Sequence, residues 1–171
     1  GHPVLQTPYL DHLAASGARF PRAYSACPVC IPARRTLMTG RKPARQGVTM
    51  NYNTWLHGPT LPGALDEAGY QTHLCGKLHF WPERTMYGFQ SADWADSPHK
   101  RYPHEDDYQA FLNREGARMP MAGVAHGANY NGWVARPWHL DERLHFTNWC
   151  VDSAMHFLDR RDPSRPFFLN V

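Results

Sequence analysis

One stretch constrains this chain more than any other: Cys30-Ile31-Pro32-Ala33-Arg34, running through Arg35-Thr36-Leu37-Met38 to Thr39-Gly40. Pro32 lacks a backbone N–H and its ring presets φ, so it belongs in the first turn of a helix. Gly40 is placed to end that helix in a left-handed conformation. The pattern predicts a helix over residues 30–39. Cys30 stands at its mouth, where free N–H groups and the helix dipole favour an anion. Arg34 lies four residues further on and shares a face with Cys30. A guanidinium beside a sulfur at a helix N-terminus suits the holding of an oxyanion against a nucleophile.

The rest of the chain reads as alternating helix and strand. Thr7 and Pro8 predict a helix start, with Leu10, Leu13 and Ala14 as its inner stripe and Gly17 as its stop. Residues 18–24 read as a short strand, with Pro21 marking an edge or a bulge. Residues 40–59 carry turn residues and read as an ordered loop. Thr60 opens a second helix, with Leu61, Ala64, Leu65 and Ala68 on one face and Gly69 as its stop. Residues 70–75 then form a strand, followed by Gly76-Lys77-Leu78-His79. In open α/β sheets ligands collect beyond the carboxyl ends of strands, so Lys77 and His79 fall where a site belongs. They are one residue apart, and on an extended chain they project to the same side.

From residue 81 to 146 the periodicity fails, and the segment holds Trp81, Trp94, Trp133 and Trp138, four of the six tryptophans. An irregular aromatic-rich stretch of this length reads as a lid or an insertion folded by its own contacts. It carries a short helix near residues 106–114 and a turn at Asn129-Tyr130-Asn131-Gly132. Thr147 is placed to cap a helix reaching residue 160, with Cys150, Val151, Ala154, Phe157 and Leu158 inward. A loop then leads into a buried strand over residues 167–171. The fold class is α/β with a mainly parallel central sheet.

Composition excludes some classes. The 171 residues are 42% hydrophobic with a formal charge of +3, a folded chain with no basic block to suggest nucleic acid. No apolar run reaches the ~18 residues of a membrane span. Cys27-x-x-Cys30 admits a redox or zinc reading. However, no second Cys-x-x-Cys or His pair completes a metal site, and Pro32-Ala33-Arg34 is foreign to thioredoxin-like motifs. Cys75 and Cys150 read as small buried apolar residues.

Cys-x-Pro-x-Arg, four further residues and Thr-Gly resemble the signature of the type I sulfatases, in the alkaline phosphatase superfamily. The lead-in from Thr7 to Ala14, the stretch from Phe20 to Ala26, Gly69-Tyr70, Gly76-Lys77-Leu78-His79 and Pro166-Phe167-Phe168-Leu169 resemble the family's blocks in the family's order. Leu78 departs from the family's more usual Trp. The resemblance implies an alkaline-phosphatase-like three-layer α/β/α fold, of which residues 1–171 form a partial catalytic domain. The family's first strand, with its paired acidic metal ligands, is expected before Gly1, and its later ligand segments after Val171.

Cys30 then has three readings: an inert thiol, a thiolate nucleophile favoured by the helix end and Arg34, or the one the resemblance implies. That third reading is oxidation to formylglycine by a separate formylglycine-generating enzyme. The hydrated aldehyde attacks sulfur through one hydroxyl and the ester alcohol leaves. The second hydroxyl then collapses the adduct, expelling sulfate and restoring the aldehyde. The resemblance further implies that Arg34 anchors the formylglycine hydroxyl, Lys77 neutralises a sulfate oxygen, and His79 contacts the sulfate or the nucleophile. One divalent cation is implied, Ca2+ first with Mg2+ or Mn2+ as alternatives, and Cys30 as formylglycine would be this chain's ligand to it. The expected activity is hydrolysis of a small-molecule or saccharide sulfate monoester, in the cytoplasm or periplasm for a bacterial protein. The alternatives are a phosphonate monoester or phosphodiester hydrolase, and a non-catalytic binding module. His99, His104, His126, His139 and His145 read as solvated loop residues beside the aromatic stretch.

Overall fold

Three short parallel strands carry the chain's only sheet among the described residues. They are β1 (Gln71–Gly76), β2 (Ser91–Trp94) and β3 (Phe167–Asn170), in the order β2-β1-β3. The computed structural model describes residues 3–96, 105–117, 133 and 135–171. β1 lies in the middle and is buried from Thr72 to Gly76, because helices cover both of its faces. On one face Leu74 packs with Met38, Leu78, Phe80 and Trp94. Met38 comes from α2 (Cys30–Thr39), and α4 (Leu61–Glu67) lies on the same side of the molecule as α2. On the other face the His73 ring stacks at 4.5 Å on Phe157 of α6 (Phe146–Arg160). This makes the α/β/α layering that the alternation of elements implies.

α2 spans the residues its sequence signals bracket. Gly40 takes φ +67° and its N–H donates to the Thr36 carbonyl, closing the helix as a left-handed cap. Arg35 is buried, with Nη1 on the Thr54 carbonyl at 3.4 Å and Nη2 on the Trp55 carbonyl, which ties α2 to the following loop. That loop also holds a single helical turn, α3 (Pro43–Gln46). Thr60 caps α4 by accepting from the Gly63 N–H at 3.2 Å, and its hydroxyl donates to the Tyr87 carbonyl at 2.6 Å.

Several expectations give way to packing. α1 (Pro8–Ser16) forms where Thr7 and Pro8 place it, but it buries no residue, and Leu10 and Leu13 are exposed. Residues 18–24 form no strand, and among the described residues no strand pairs with them. In α4 the buried residue is Pro62, while Leu61, Ala64 and Ala68 are exposed, so the covered face is rotated from the expected one. β3 is only partly covered, and among the described residues no strand pairs with its far side.

The stretch from 81 to 146 supplies β2, which its periodicity does not announce, and α5 (Asp107–Arg114), the short helix expected near residues 106–114. Asp106 caps α5 by accepting from the Gln109 N–H at 2.8 Å. The Asp107 carboxylate takes two bonds from Arg84, at 2.8 and 2.9 Å, and one from the Trp94 N–H, pinning β2 to this helix. The turn expected at Asn129–Gly132 falls outside the described residues, as do His99, His104 and His126. α6 is capped by His145, whose Nδ1 accepts from the Thr147 N–H at 3.2 Å, where Thr147 had been the expected cap. Its buried residues are Trp149, Cys150 and Ala154, whereas Val151 is exposed. Among the described residues no helix is long and apolar enough to cross a membrane.

Candidate functional site

The carboxyl end of β1 and the first turns of α2 meet through one hydrogen bond. Arg34 Nη1 donates to the Lys77 carbonyl at 2.8 Å, across 43 residues of sequence. Cys30, Arg34, Lys77 and His79 therefore belong to one end of the sheet, the end where ligands gather in this fold class. Cys30 is exposed at the mouth of α2 and is a free thiol. Its neighbour Cys27 is also free, and its thiol lies 3.9 Å from the Thr49 carbonyl.

The anion-binding capacity of this helix end is smaller than sequence suggests. The Ile31 N–H is taken by Asn51 Oδ1 at 2.9 Å, and the Ala33 N–H by the Val29 carbonyl at 3.1 Å. Pro32 has none to offer. The cationic side chains at this end are Arg34 and Lys77, both half-buried.

The extended alternation expected for Lys77 and His79 ends at Gly76. Gly76 takes φ +91° and His79 takes φ +60°, so the chain turns sharply out of the strand. Lys77 keeps contact with solvent, while His79 is buried. Leu78 between them is fully covered and packs against Leu74 and Met38, so the apolar side chain at this position serves the core.

Asp96 is a member of the cluster that the sequence reading missed. It stands two residues beyond β2 and is buried, and its Oδ2 accepts the backbone N–H of His79. Burial pushes its carboxyl up to about 6, against the opposing pull of the His79 N–H and the positive charges of Lys77 and Arg34. The Trp94 indole lies close enough to help stabilise the carboxylate without reaching hydrogen-bond geometry. One signal was available: once a second parallel strand is placed after the turn at Gly88, Asp96 falls at its carboxyl end, beside Lys77 and His79.

A second group, His73, Cys75 and Asp93, brings three potential ligand atoms within 4.8 Å of one another. It lies on the α6 side of β1, where both His73 ring nitrogens are already engaged, by Ser91 at 2.7 Å and Asp93 at 3.2 Å. Burial, Asp93 and Cys150 raise the Cys75 thiol to about 12, so it stays protonated. A protonated thiol and an occupied imidazole do not suit a hard cation that prefers oxygen ligands.

A family model described as Sulfatase matches residues 1–171. The chain belongs to the sulfatase family. Among its relatives is an arylsulfatase of Clostridium perfringens, 35% identical over 190 residues that cover all of this chain and 38% of that protein. Among solved structures, a phosphonate monoester hydrolase of Agrobacterium radiobacter superposes with a TM-score of 0.73 at 25% identity, covering all of this chain and 36% of that one. Another, solved in complex with its substrate D-glucosamine-2-N,6-O-disulfate, superposes with a TM-score of 0.65 at 25% identity, over 98% of this chain and 29% of that one. This sulfatase chain thus spans well under half the length of the relatives it matches. The alkaline-phosphatase-like α/β class expected from the motifs is borne out by these neighbours and by the parallel sheet.

Proposed function

We propose that the protein containing this chain hydrolyses a sulfate monoester, with Cys30, oxidised to formylglycine, as the residue that carries the nucleophile. The observation that carries this reading is the Arg34–Lys77 hydrogen bond, which joins the signature helix to the Lys77-Leu78-His79 turn. In this reading Arg34 orients the Cys30 side chain one helical turn away. The Lys77 ammonium neutralises a sulfate oxygen as charge builds on it. The buried His79 holds or delivers a proton at the reacting ester. A formylglycine-generating enzyme is the maturation partner, and small-molecule or saccharide sulfates are the substrate class, in line with the sulfated amino sugar bound by one structural neighbour.

Arg34, Lys77 and Asp96, whose charges act on one another, do not by themselves form an oxygen-lined cation site. A divalent cation, Ca2+ in this reading with Mg2+ or Mn2+ as alternatives, takes from the candidate site only the Cys30 side chain as formylglycine. The likeness to a phosphonate monoester hydrolase supports a second reading, in which the ester cleaved is a phosphonate.

The test is the mass of the tryptic peptide containing Cys30, from protein made in its own host. Formylglycine lowers it by about eighteen mass units through exchange of sulfur for oxygen and aldehyde formation. Parallel assays on an aryl sulfate and an aryl phosphonate then separate the two ester readings. An unmodified Cys30 in protein that cleaves a sulfate ester would overturn the assignment of the nucleophile.

A further inference from the structure

We propose that Asp96 is a positioning residue, holding the backbone of His79 so that the turn carrying Lys77 and His79 keeps one geometry. The inference rests on the reading of that turn as part of the reactive site. Three observations support it.

First, Asp96 is 7% exposed and its Oδ2 accepts the His79 N–H, a bond from a neutral donor to an ionisable acceptor in a water-poor place. Second, His79 sits at φ +60°, a conformation that a residue with a Cβ keeps only when its surroundings impose it. Third, the other end of the turn is held at the Lys77 carbonyl by Arg34 at 2.8 Å, with Leu78 completely buried between the two. The turn is thus gripped at its first carbonyl, its middle side chain and its last N–H. Arg34 and Asp96 are the two charged groups that do the gripping.

The remaining carboxylate oxygen, Oδ1, is buried with no hydrogen-bond partner. A carboxylate buried in this way is a poor stabiliser of the fold in itself. Its charge instead faces those of Lys77 and Arg34, which lower its carboxyl against the larger effect of burial. Asp96 therefore sets both the direction of the His79 N–H and the electrostatic surroundings of the two cations. It approaches them from just beyond β2, a strand that carries none of the signature residues.

The experiment compares Asp96→Ala and Asp96→Asn in the mature protein, with activity normalised to the formylglycine content of the Cys30 peptide. Loss of a hydrogen bond to a charged acceptor is expected to lower kcat about 10- to 100-fold in Asp96→Ala, with KM within about threefold. Asp96→Asn keeps an acceptor oxygen and is expected to recover to within about tenfold of wild type. The His79 amide is followed in parallel by selective 15N-histidine labelling, its signal assigned by its loss in His79→Gln. It is expected to move in Asp96→Ala and to stay close to its wild-type position in Asp96→Asn. An unmoved amide in Asp96→Ala overturns the proposal, as does Asp96→Ala activity within about threefold of wild type or an Asp96→Asn loss as deep as that of Asp96→Ala. If wild type cleaves neither sulfate nor phosphonate esters, the proposed function falls, and the amide signal alone decides whether Asp96 positions His79.

Discussion

Replacing Gly88 with alanine tests whether the loop from Tyr87 to Gln90 is as tightly held as its contacts imply. Gly88 takes φ +95°, and a Cβ there would stand 2.3 Å from the Gly63 nitrogen, 2.5 Å from the Gly63 Cα and 2.8 Å from the Thr60 hydroxyl. Two of these atoms are backbone, so no rotamer change relieves the overlap. The loop cannot easily retreat either. Thr60 donates to the Tyr87 carbonyl at 2.6 Å, Thr72 donates to the Gly88 carbonyl at 3.1 Å, and the Gln90 N–H donates to Thr72 Oγ1 at 2.9 Å. Backbone strain at such a φ costs about 1–3 kcal/mol, and overpacking adds about 1–3 kcal/mol. The sum is about 4 kcal/mol, or a fall in Tm of roughly 8–16 °C for a domain of this size. Gly69→Ala is the control, because Gly69 has nearly the same φ, +89°, with nothing within 4 Å of its added Cβ. It isolates the strain and is expected to cost about half as much. Thermal and urea unfolding of the two variants read the difference. Equal losses at the two positions would refute the argument that the Gly63 backbone stands in the way.

Two further outcomes follow from the site. Arg34→Lys keeps the charge but loses the guanidinium that reaches the Lys77 carbonyl, so kcat/KM is expected to fall about 10- to 100-fold with Tm changed by less than about 3 °C; a large fall in Tm with activity retained would make Arg34 a pin of the fold alone. Asp96 makes stability depend on pH in a stated direction. Its carboxyl is raised from 3.8 to about 6 in the folded state, so between those values the folded protein takes up a proton that the unfolded chain has not yet bound. Stability from this group is fully present below pH ~4 and is lost as pH rises through about 6, by about 3 kcal/mol at most. Urea unfolding between pH 4 and pH 7 is expected to show this slope in wild type and not in Asp96→Asn, and parallel slopes in the two proteins would refute it.

What could be read from the sequence was what a few neighbouring residues decide among themselves. Pro32 and Gly40 bracket α2 because one lacks an N–H and the other tolerates a left-handed φ, and the helix runs from Cys30 to Thr39 as those properties require. Thr60 marks the start of α4 and Asp106 that of α5 for the same kind of local reason. The failures are of another kind. Leu10 and Leu13 have helical spacing, yet which stripe is covered depends on what lies beside it, and α1 buries nothing here. β2 was hidden because only four residues long, and its partner is β1, eighteen residues earlier at His73 and Ser91. A strand so short announces itself through its pairing more than through its own pattern. Asp96 was hidden for the same reason, since its meaning comes from the parallel register that sets Gly76 against Trp94. That register carries the following residues of both strands to the same end of the sheet. The four motif residues thus supply the cations, the thiol and the imidazole of the candidate site, while the carboxylate that meets them is supplied by topology.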